Sequence, residues 1–168
     1  MNRSEIIDRA LESNPFAYAF LTKPIIVGGL AMEFHGIRPH GSDIDMIVTD
    51  ADYQALKVRF PQWKKDVWGD LGISSGGYEL FRSIWKLDYG YFSRDVIEFD
   101  RYMVISLDRL LLMKALSRGA GEKHRQDFDL ILRHVLDANQ VPEYVRHMND
   151  RVSSYLAHAD GIVYNEEY

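Results

Sequence analysis

Two acids alternate with apolar residues in the segment 43–48, DIDMIV. Side chains of a strand alternate between its two faces, so Asp43 and Asp45 are expected on one face and their apolar neighbours on the other. Two carboxylates with Cα atoms about 6.6 Å apart can converge on divalent cations, and oxygen ligands suit Mg²⁺ or Mn²⁺. Taken alone, the pattern favours a simpler alternative, a half-buried edge strand whose acids face water.

A glycine pair, Gly28 and Gly29, separates the apolar run 24–27 from the helix-compatible segment 30–35. Glycine amides can approach a phosphate closely, and the positive end of a helix dipole favours an anion at this point. Glycine pairs also form ordinary turns, which is the prediction for the second pair, 76–77, because it follows two serines and precedes a strand. The first pair is more informative because it and the two acids lie at the ends of successive predicted strands.

The segment IIVGGLAMEFHGIRPHGSDIDMIV resembles the signature of the polymerase-beta-like nucleotidyltransferase superfamily. The signature consists of an apolar strand, a Gly-Gly or Gly-Ser pair, a short helix and Asp-x-Asp on the next strand. A later segment, VISLDRLLLMKALSRGAGEKHRQDFDLIL, is similar to the helical region of the AbiEii-like toxin and minimal-transferase branches of that superfamily. The two matches cover residues 24–48 and 104–132. They imply metal-dependent transfer of a nucleoside monophosphate from a nucleoside triphosphate to an acceptor hydroxyl or phosphate.

The resemblance also implies roles for particular residues. Gly28 and Gly29 would hold the triphosphate, and Asp43 and Asp45 would hold the metal ions. A third carboxylate on a neighbouring strand would act as ligand and general base. We assign this role to Glu98, because it alternates with apolar residues as Asp43 does. Three other acids remain alternatives for it: Asp88, Asp95 and Asp100.

Two charged residues of the helical region are predicted to contact the nucleotide. Lys114 continues the apolar stripe of the predicted helix 107–118, so its amine either binds an anion such as the triphosphate or reaches water along a packed stem. Asp127 shares the apolar stripe of the predicted helix 122–138 and is expected to point inward toward Lys114. Arg38, in the linker before the paired acids, is expected to be a solvated loop arginine, with phosphate contact as the alternative.

These residues require a scaffold of the α+β class. We predict a nucleotidyltransferase-like mixed β-sheet flanked by helices over residues 1–105, and a C-terminal helical segment, 106–168, packed on that core as a single compact unit. The predicted strands are 24–27, 43–48, 78–85, 87–92 and 95–99. The predicted helices are 3–13, 30–35, 50–60, 107–118, 122–138 and one after Pro142 that carries a heptad stripe from Val145 to Tyr155.

Composition narrows the class of protein further. The 168 residues contain 20 basic and 25 acidic side chains, a net charge of −5, and 46% of them are hydrophobic, which is typical of a globular chain. The chain has no cysteine, which excludes disulfides, thiolate nucleophiles and cysteine-ligated metals. Residues 1–16 mix charges and lack the apolar run of a secretory signal, and we expect a cytoplasmic protein without membrane segments. The acidic balance argues against sequence-independent coating of DNA.

The predicted function is nucleotidyl transfer dependent on Mg²⁺ or Mn²⁺. The donor is a nucleoside triphosphate, and the acceptor is left open among tRNA, a protein side chain and a small molecule. The resemblance makes the toxin of a toxin–antitoxin system one form of this function, with an antitoxin or a second copy of the chain as partner. A non-catalytic nucleotide- or RNA-binding regulator of the same fold is the main alternative. A structural protein that dimerises through the stripe 145–155 is a third.

Overall fold

A computed structural model describes residues 2–67 and 70–160 of the chain. The described chain divides into two compact units, the first ending at Ser106 and the second beginning at Leu107. This division falls at the end of the segment 1–105 that the sequence assigns to the α/β core. The packing of the helical segment on that core stays a prediction. Within the described ranges, none of the helices combines the length and the apolar character needed to cross a membrane.

The first unit is built on a mixed sheet. Its described strands are β1 (Ile25–Val27), β2 (Ile44–Ile47), β3 (Lys64–Val67), β4 (Asp70–Ser75), β5 (Tyr78–Phe81), β8 (Ile97–Glu98) and β9 (Met103–Val104). Their order is β3-β4-β5-β2-β1-β9-β8. β2 is antiparallel to β1 and parallel to β5, and β1 is parallel to β9. A separate two-stranded ribbon contains β6 (Ser83–Ile84) and β7 (Leu87–Asp88). The predicted α+β class with a mixed sheet is confirmed.

Helices flank this sheet in the first unit. They are α1 (Arg3–Glu12), α2 (Gly28–Phe34), α3 (Asp50–Arg59) and α4 (Tyr89–Phe92), and a 3-10 turn, Pro61–Trp63, follows α3. The Thr49 hydroxyl caps α3 by accepting a hydrogen bond from the Asp52 amide. Asp52 is fully buried and also accepts from the Tyr18 hydroxyl and the Leu21 amide, both at 2.8 Å. Its carboxylate therefore ties the segment before β1 to the start of α3.

The central strands form the core of the first unit. All three residues of β1 are fully buried, as expected of an apolar run covered on both faces. In β2, Ile44 and Met46 are buried whereas Asp45 between them is half-buried, so the alternation predicted for this strand is confirmed. Val27 pairs directly with Asp45, which brings the end of β1 beside the start of β2.

The region after β5 differs most from the prediction. The strand predicted over 87–92 is wrong beyond Asp88, because Tyr89–Phe92 forms α4. The Asp88 carboxylate accepts a hydrogen bond from the Tyr91 amide, and this cap outweighs the strand preference of the aromatic residues. The strand predicted over 78–85 is broken between β5 and β6. The strands β3, β4 and β9 were not individually predicted from the sequence.

The second unit is helical. It contains α5 (Leu107–Ser117), a 3-10 turn (Arg118–Ala120), α6 (Glu122–Ala138) and α7 (Pro142–Asp160), which confirms the three helices predicted there. On α7, Met148 and Val152 of the predicted stripe are buried. Tyr155 donates a hydrogen bond to Asp108 of α5 at 3.3 Å, so this stripe packs against the chain's own helix. Dimerisation of the chain stays a prediction.

Candidate functional site

The end of β1 and the middle of β2 meet at Gly28 and Asp45. Gly28 has φ +61°, a left-handed conformation that side-chain-bearing residues rarely adopt. A Cβ atom at this position would lie 2.1 Å from Asp45 Oδ2, well inside van der Waals contact. The position therefore requires glycine for two reasons, its backbone conformation and the carboxylate that occupies the space of a side chain. The approach of the first glycine pair to the acid pair, as the sequence predicts, is confirmed for these two residues.

Asp43 lies one residue before β2 and is exposed. The Ser42 hydroxyl donates to its Oδ1 at 3.2 Å. The turn 76–77, which the sequence predicts as an ordinary turn, joins β4 to β5 with φ values of +57° and +83°. The carbonyl of Gly77 accepts a hydrogen bond from the Ile44 amide at 2.8 Å. This turn thus fixes the chain between the two acids, a role that the pattern of an ordinary turn does not predict.

The loop 38–41 lies over the second glycine of the pair. A Cβ at Gly29 would meet the Gly41 nitrogen at 3.6 Å and Arg38 Nη1 at 3.7 Å, which are ordinary contacts. Arg38 is half-buried and donates to the Pro39 carbonyl at 2.7 Å, so this arginine of the loop is only partly solvated. The sequence signal for this position was weak, since the proximity of Arg38 to Gly29 depends on the path of the loop.

One carboxylate fastens this loop to α2. Glu33 Oε2 accepts a hydrogen bond from the His40 amide at 2.9 Å and also pairs with the His40 ring. The bond from the backbone, followed by the one from the ring, holds the pKa of Glu33 below its ordinary value. The ionised Glu33 therefore stabilises the loop that carries the Arg38 guanidinium.

A third acid lies beside Asp45 on the neighbouring strand. Glu79 of β5 is in direct register with Asp45 of β2, so the two side chains share a face of the sheet. Glu79 forms an ion pair with Lys65 of β3, and 24% of its side chain is exposed. Glu79 was not predicted as a site residue, although it lies between the buried residues Tyr78 and Leu80 and so follows the same alternation as Glu98.

Glu98 lies elsewhere in the sheet. β8 is separated from β2 by β9 and β1, a lateral distance of about 14 Å at the usual strand spacing. Glu98 binds Lys23 at 2.7 Å, and 66% of its side chain is exposed. The hydrogen bond and charge of Lys23 hold the pKa of Glu98 below its ordinary value. The structure thus corrects the expected adjacency: Glu98 is not on a strand that neighbours the acid pair.

The three alternatives to Glu98 have other positions. Asp88 caps α4, and Asp95 and Asp100 are exposed residues on either side of β8. Asp95 has φ +56°, so its backbone forms a tight bend before β8. Each of them lies outside β5 and β1, the two strands that pair with β2.

The donor chemistry of the acid pair suits a hard divalent cation. Asp43 and Asp45 offer carboxylate oxygens, and Glu79 adds a third carboxylate in register with Asp45. Across residues 2–67 and 70–160, no three His, Asp or Glu side chains are close enough together to form a metal-binding group. In this arrangement Glu79 is held by Lys65, which draws that carboxylate toward β3.

The second unit holds the other pair of predicted residues. Lys114 Nζ lies 2.8 Å from Asp127 Oδ2, and their side chains are only 6% and 3% exposed. The predicted inward approach of Asp127 to Lys114 is confirmed, whereas contact of this pair with a nucleotide stays a prediction. His124 lies in the same region, and its Nδ1 is buried without a hydrogen-bond partner. Burial, and then the charge of Lys114, lower the pKa of His124.

Comparison of the chain with protein-family models and with curated proteins finds no match. The resemblance to nucleotidyltransferases therefore stays a prediction, and the geometry of the first unit is the basis for a functional proposal.

Proposed function

We propose that the protein is a metal-dependent nucleotidyltransferase that moves a nucleoside monophosphate from a nucleoside triphosphate to an acceptor. The observation that carries this proposal is the contact of the Asp45 carboxylate with the left-handed Gly28 at the end of β1. A carboxylate that could bind a cation and a buried glycine whose amide no side chain of its own would separate from a phosphate are thereby adjacent.

Each candidate residue of the first unit has a distinct role in this proposal. The amides of Gly28 and Gly29 bind phosphate oxygens, and the Arg38 guanidinium beside Gly29 supplies a positive charge that attracts those oxygens. Asp43 and Asp45 would hold Mg²⁺ or Mn²⁺, which would neutralise charge that develops on the transferred phosphate. The protein then has to align the donor and the acceptor rather than form a covalent intermediate.

Asp45→Asn tests this proposal directly. Its amide keeps the size of the side chain beside Gly28 but removes the charge that would bind a cation. We expect titration calorimetry to detect Mg²⁺-dependent binding of a nucleoside triphosphate to the wild type, and at least about tenfold weaker binding to the variant. We also expect pyrophosphate release with a mixed pool of RNA, protein and small-molecule acceptors, and its loss in the variant. Unchanged nucleotide binding by the variant would contradict the proposal.

Glu79 is the better third carboxylate and general base, because it lies next to Asp45 on the adjacent parallel strand. Glu79→Gln and Glu98→Gln are matched variants, since each removes one charge from an acid that is paired with a lysine. We expect Glu79→Gln to lower the rate of pyrophosphate release by about 10²-fold or more, and Glu98→Gln to leave it close to the wild-type rate. The reverse result would contradict the assignment.

A nucleotide-binding regulator without turnover is the second candidate. The ion pair of Glu79 with Lys65 favours it, because an acid engaged by a lysine is less available as ligand or base. Mg²⁺-dependent binding that is lost in Asp45→Asn, without pyrophosphate release from any acceptor class, would support this candidate over the enzyme. The proposed function also includes the role of toxin in a toxin–antitoxin system, with an antitoxin or a second copy of the chain as partner. A pull-down with the tagged full chain tests for such a partner.

A further inference from the structure

A basic and aromatic segment lies at the opposite edge of the sheet from β8. It consists of the end of α3, the 3-10 turn and the start of β3, and we call it the basic–aromatic surface: Lys57, Arg59, Phe60, Trp63, Lys64 and Lys65. Residues 53–65 contain four cations and no acid, in a chain whose net charge is −5. The acid that precedes them, Asp52, is fully buried, so its charge does not offset them at the surface, whereas Glu79 offsets Lys65 and Asp66 is the next residue in the sequence.

The aromatic members of this surface are fixed in place. The rings of Phe60 and Trp63 are stacked, with centroids 4.5 Å apart and planes inclined by 15°. The fully buried Phe16 packs edge-on against both rings, which anchors the stack to the core of the first unit. The Arg59 guanidinium lies 5.2 Å from the centre of the Phe60 ring. The result is a half-buried layer of flat groups that carries a positive charge.

Helix energetics explain only part of this arrangement. Lys57 and Arg59 lie in the last turn of α3, where cations interact favourably with the helix dipole. The same effect does not account for Lys64 and Lys65, which belong to β3 and are exposed. Nor does it account for Val58, which is 79% exposed between the two helical cations. A further binding role explains why cations, flat groups and an exposed apolar residue occur together.

We propose that the basic–aromatic surface binds single-stranded nucleic acid and thereby delivers the acceptor of the transfer reaction. The inference rests on the proposed function, because it identifies the acceptor class of that site. Lysine and arginine side chains bind the phosphates, and the bases stack on rings or on a guanidinium plane. This combination matches a polynucleotide better than an acidic protein surface, because bases stack on aromatic rings and carboxylates do not.

The surface is also connected to the candidate site through the sheet. Lys65 pairs with Glu79 of β5, and Glu79 is in register with Asp45 of β2. From β3 to β2 the distance is three strand spacings, about 14 Å. An oligonucleotide bound on the surface would have to extend over this distance to bring its terminal nucleotide to Asp45.

Salt-dependent binding of a labelled oligonucleotide to the full chain tests this inference. With single-stranded RNA of about ten nucleotides, three cations predict a slope of log affinity against log salt of about −2, since each phosphate contact contributes about −0.7 and Lys65 is engaged by Glu79. Single-stranded DNA of the same length distinguishes the two kinds of polynucleotide. Arg59→Gln combined with Lys64→Gln is expected to reduce the slope by about 1.4 and to weaken binding at least tenfold.

The matched control is Arg133→Gln combined with Arg146→Gln. It removes the same charge from exposed positions on α6 and α7 and should leave the affinity at the wild-type value. Equal loss in both double variants would overturn the inference, because only net charge would then matter. Thermal melting of both double variants verifies that they are folded.

Trp63→Leu tests the aromatic part, because leucine retains apolar volume beside Phe16 but cannot stack on a base. We expect at least about fivefold weaker RNA binding and no loss of the salt slope. Trp63→Phe, which keeps a flat ring in the stack, is expected to restore most of the affinity. Competition by polyglutamate as strong as that by RNA, together with wild-type affinity of Trp63→Leu, would overturn the inference in favour of an acidic protein partner.

The test separates this inference from the proposed function. Asp45→Asn is expected to retain wild-type RNA affinity, because Asp45 is not part of the surface. If the wild type does not bind RNA but releases pyrophosphate in the presence of another acceptor class, only the inference would be overturned. RNA binding without nucleotide binding would contradict the proposed function and the delivery of an acceptor, and would leave the surface as an RNA-binding site.

Discussion

The space beside Gly28 is occupied by the carboxylate of Asp45, and this single contact makes glycine and alanine sharply different there. Gly28→Ala would place a Cβ 2.1 Å from Asp45 Oδ2 on a backbone with φ +61°. We expect a loss of about 2 kcal/mol or more in the free energy of unfolding, from left-handed strain and displacement of Asp45. Chemical denaturation measures this loss, and calorimetry should show weakened nucleotide binding as well.

Gly29→Ala is the matched control for that prediction. Its Cβ would meet neighbouring atoms only at 3.6 Å and beyond, in ordinary contact. The alanine also suits a position inside α2, so we expect the free energy of unfolding to stay within about 0.5 kcal/mol of the wild type or to rise. Equal destabilisation by the two substitutions would show that the Gly28–Asp45 contact is not the cause.

At this scale the sequence is informative where a local period decides the outcome. The helical period predicts that Asp127 turns inward to Lys114, and the strand period predicts that Ile44 and Met46 are buried beside Asp45. Glu79 was missed, because strand pairing rather than the local pattern distinguishes it from Glu98.

Individual elements depend on contacts that a sequence period does not contain. The break between β5 and β6 is one example, because the carboxylate of Asp70 accepts from the Ser83 hydroxyl and from the amides of Trp85 and Lys86. Those two residues have φ values of +54° and +62°, so the turn between β6 and β7 is strained and held by one buried acid. A run of strand-forming residues does not predict such a turn. The helices of the second unit were predicted well because their apolar stripes are long.

The buried pair of α5 and α6 gives a prediction at the scale of elements. Lys114→Met leaves Asp127 buried without its cation, and we expect a loss of about 3–5 kcal/mol in the free energy of unfolding. Asp127→Leu should be destabilising for the converse reason. The double variant replaces both charges by apolar groups and should recover most of the loss. Chemical denaturation of the four proteins gives the coupling energy.

The outcome of that cycle separates structure from binding. Recovery of stability in the double variant, with weaker nucleotide binding, would support the predicted contact of the pair with the triphosphate. Recovery of both stability and nucleotide affinity would assign the pair to the structure of the second unit alone. A loss of stability in the double variant equal to the sum of the two single losses would contradict the coupling that the 2.8 Å distance implies.

At the scale of the whole molecule, Glu33 and His124 are among the groups that make stability rise from acid toward neutral pH. The folded pKa of Glu33 is lowered by His40, so the contribution of this ionised acid is complete above about 4.5 and is lost as the pH falls through its folded value. The folded pKa of His124 is lowered by burial and by Lys114, with Lys123 acting in the same direction and Asp127 against it. The unfolded chain therefore binds the His124 proton more readily, and stability is lost as the pH falls below about 6.5.

The His124 contribution begins to be lost below about pH 6.5 and the Glu33 contribution only below about 4.5, so substitutions can assign them. His124→Gln removes the imidazole whose Nδ1 is buried without a partner, and we expect it to flatten the fall of the melting temperature that begins as the pH drops below about 6.5. Glu33→Gln should instead flatten the change below about pH 4.5. The control is His147→Gln, which removes an exposed imidazole from α7 of the same unit and should leave the profile unchanged. If His124→Gln had the same pH profile as the wild type, this origin of the pH dependence would be contradicted. The wild type would then take up no extra proton at His124 on unfolding.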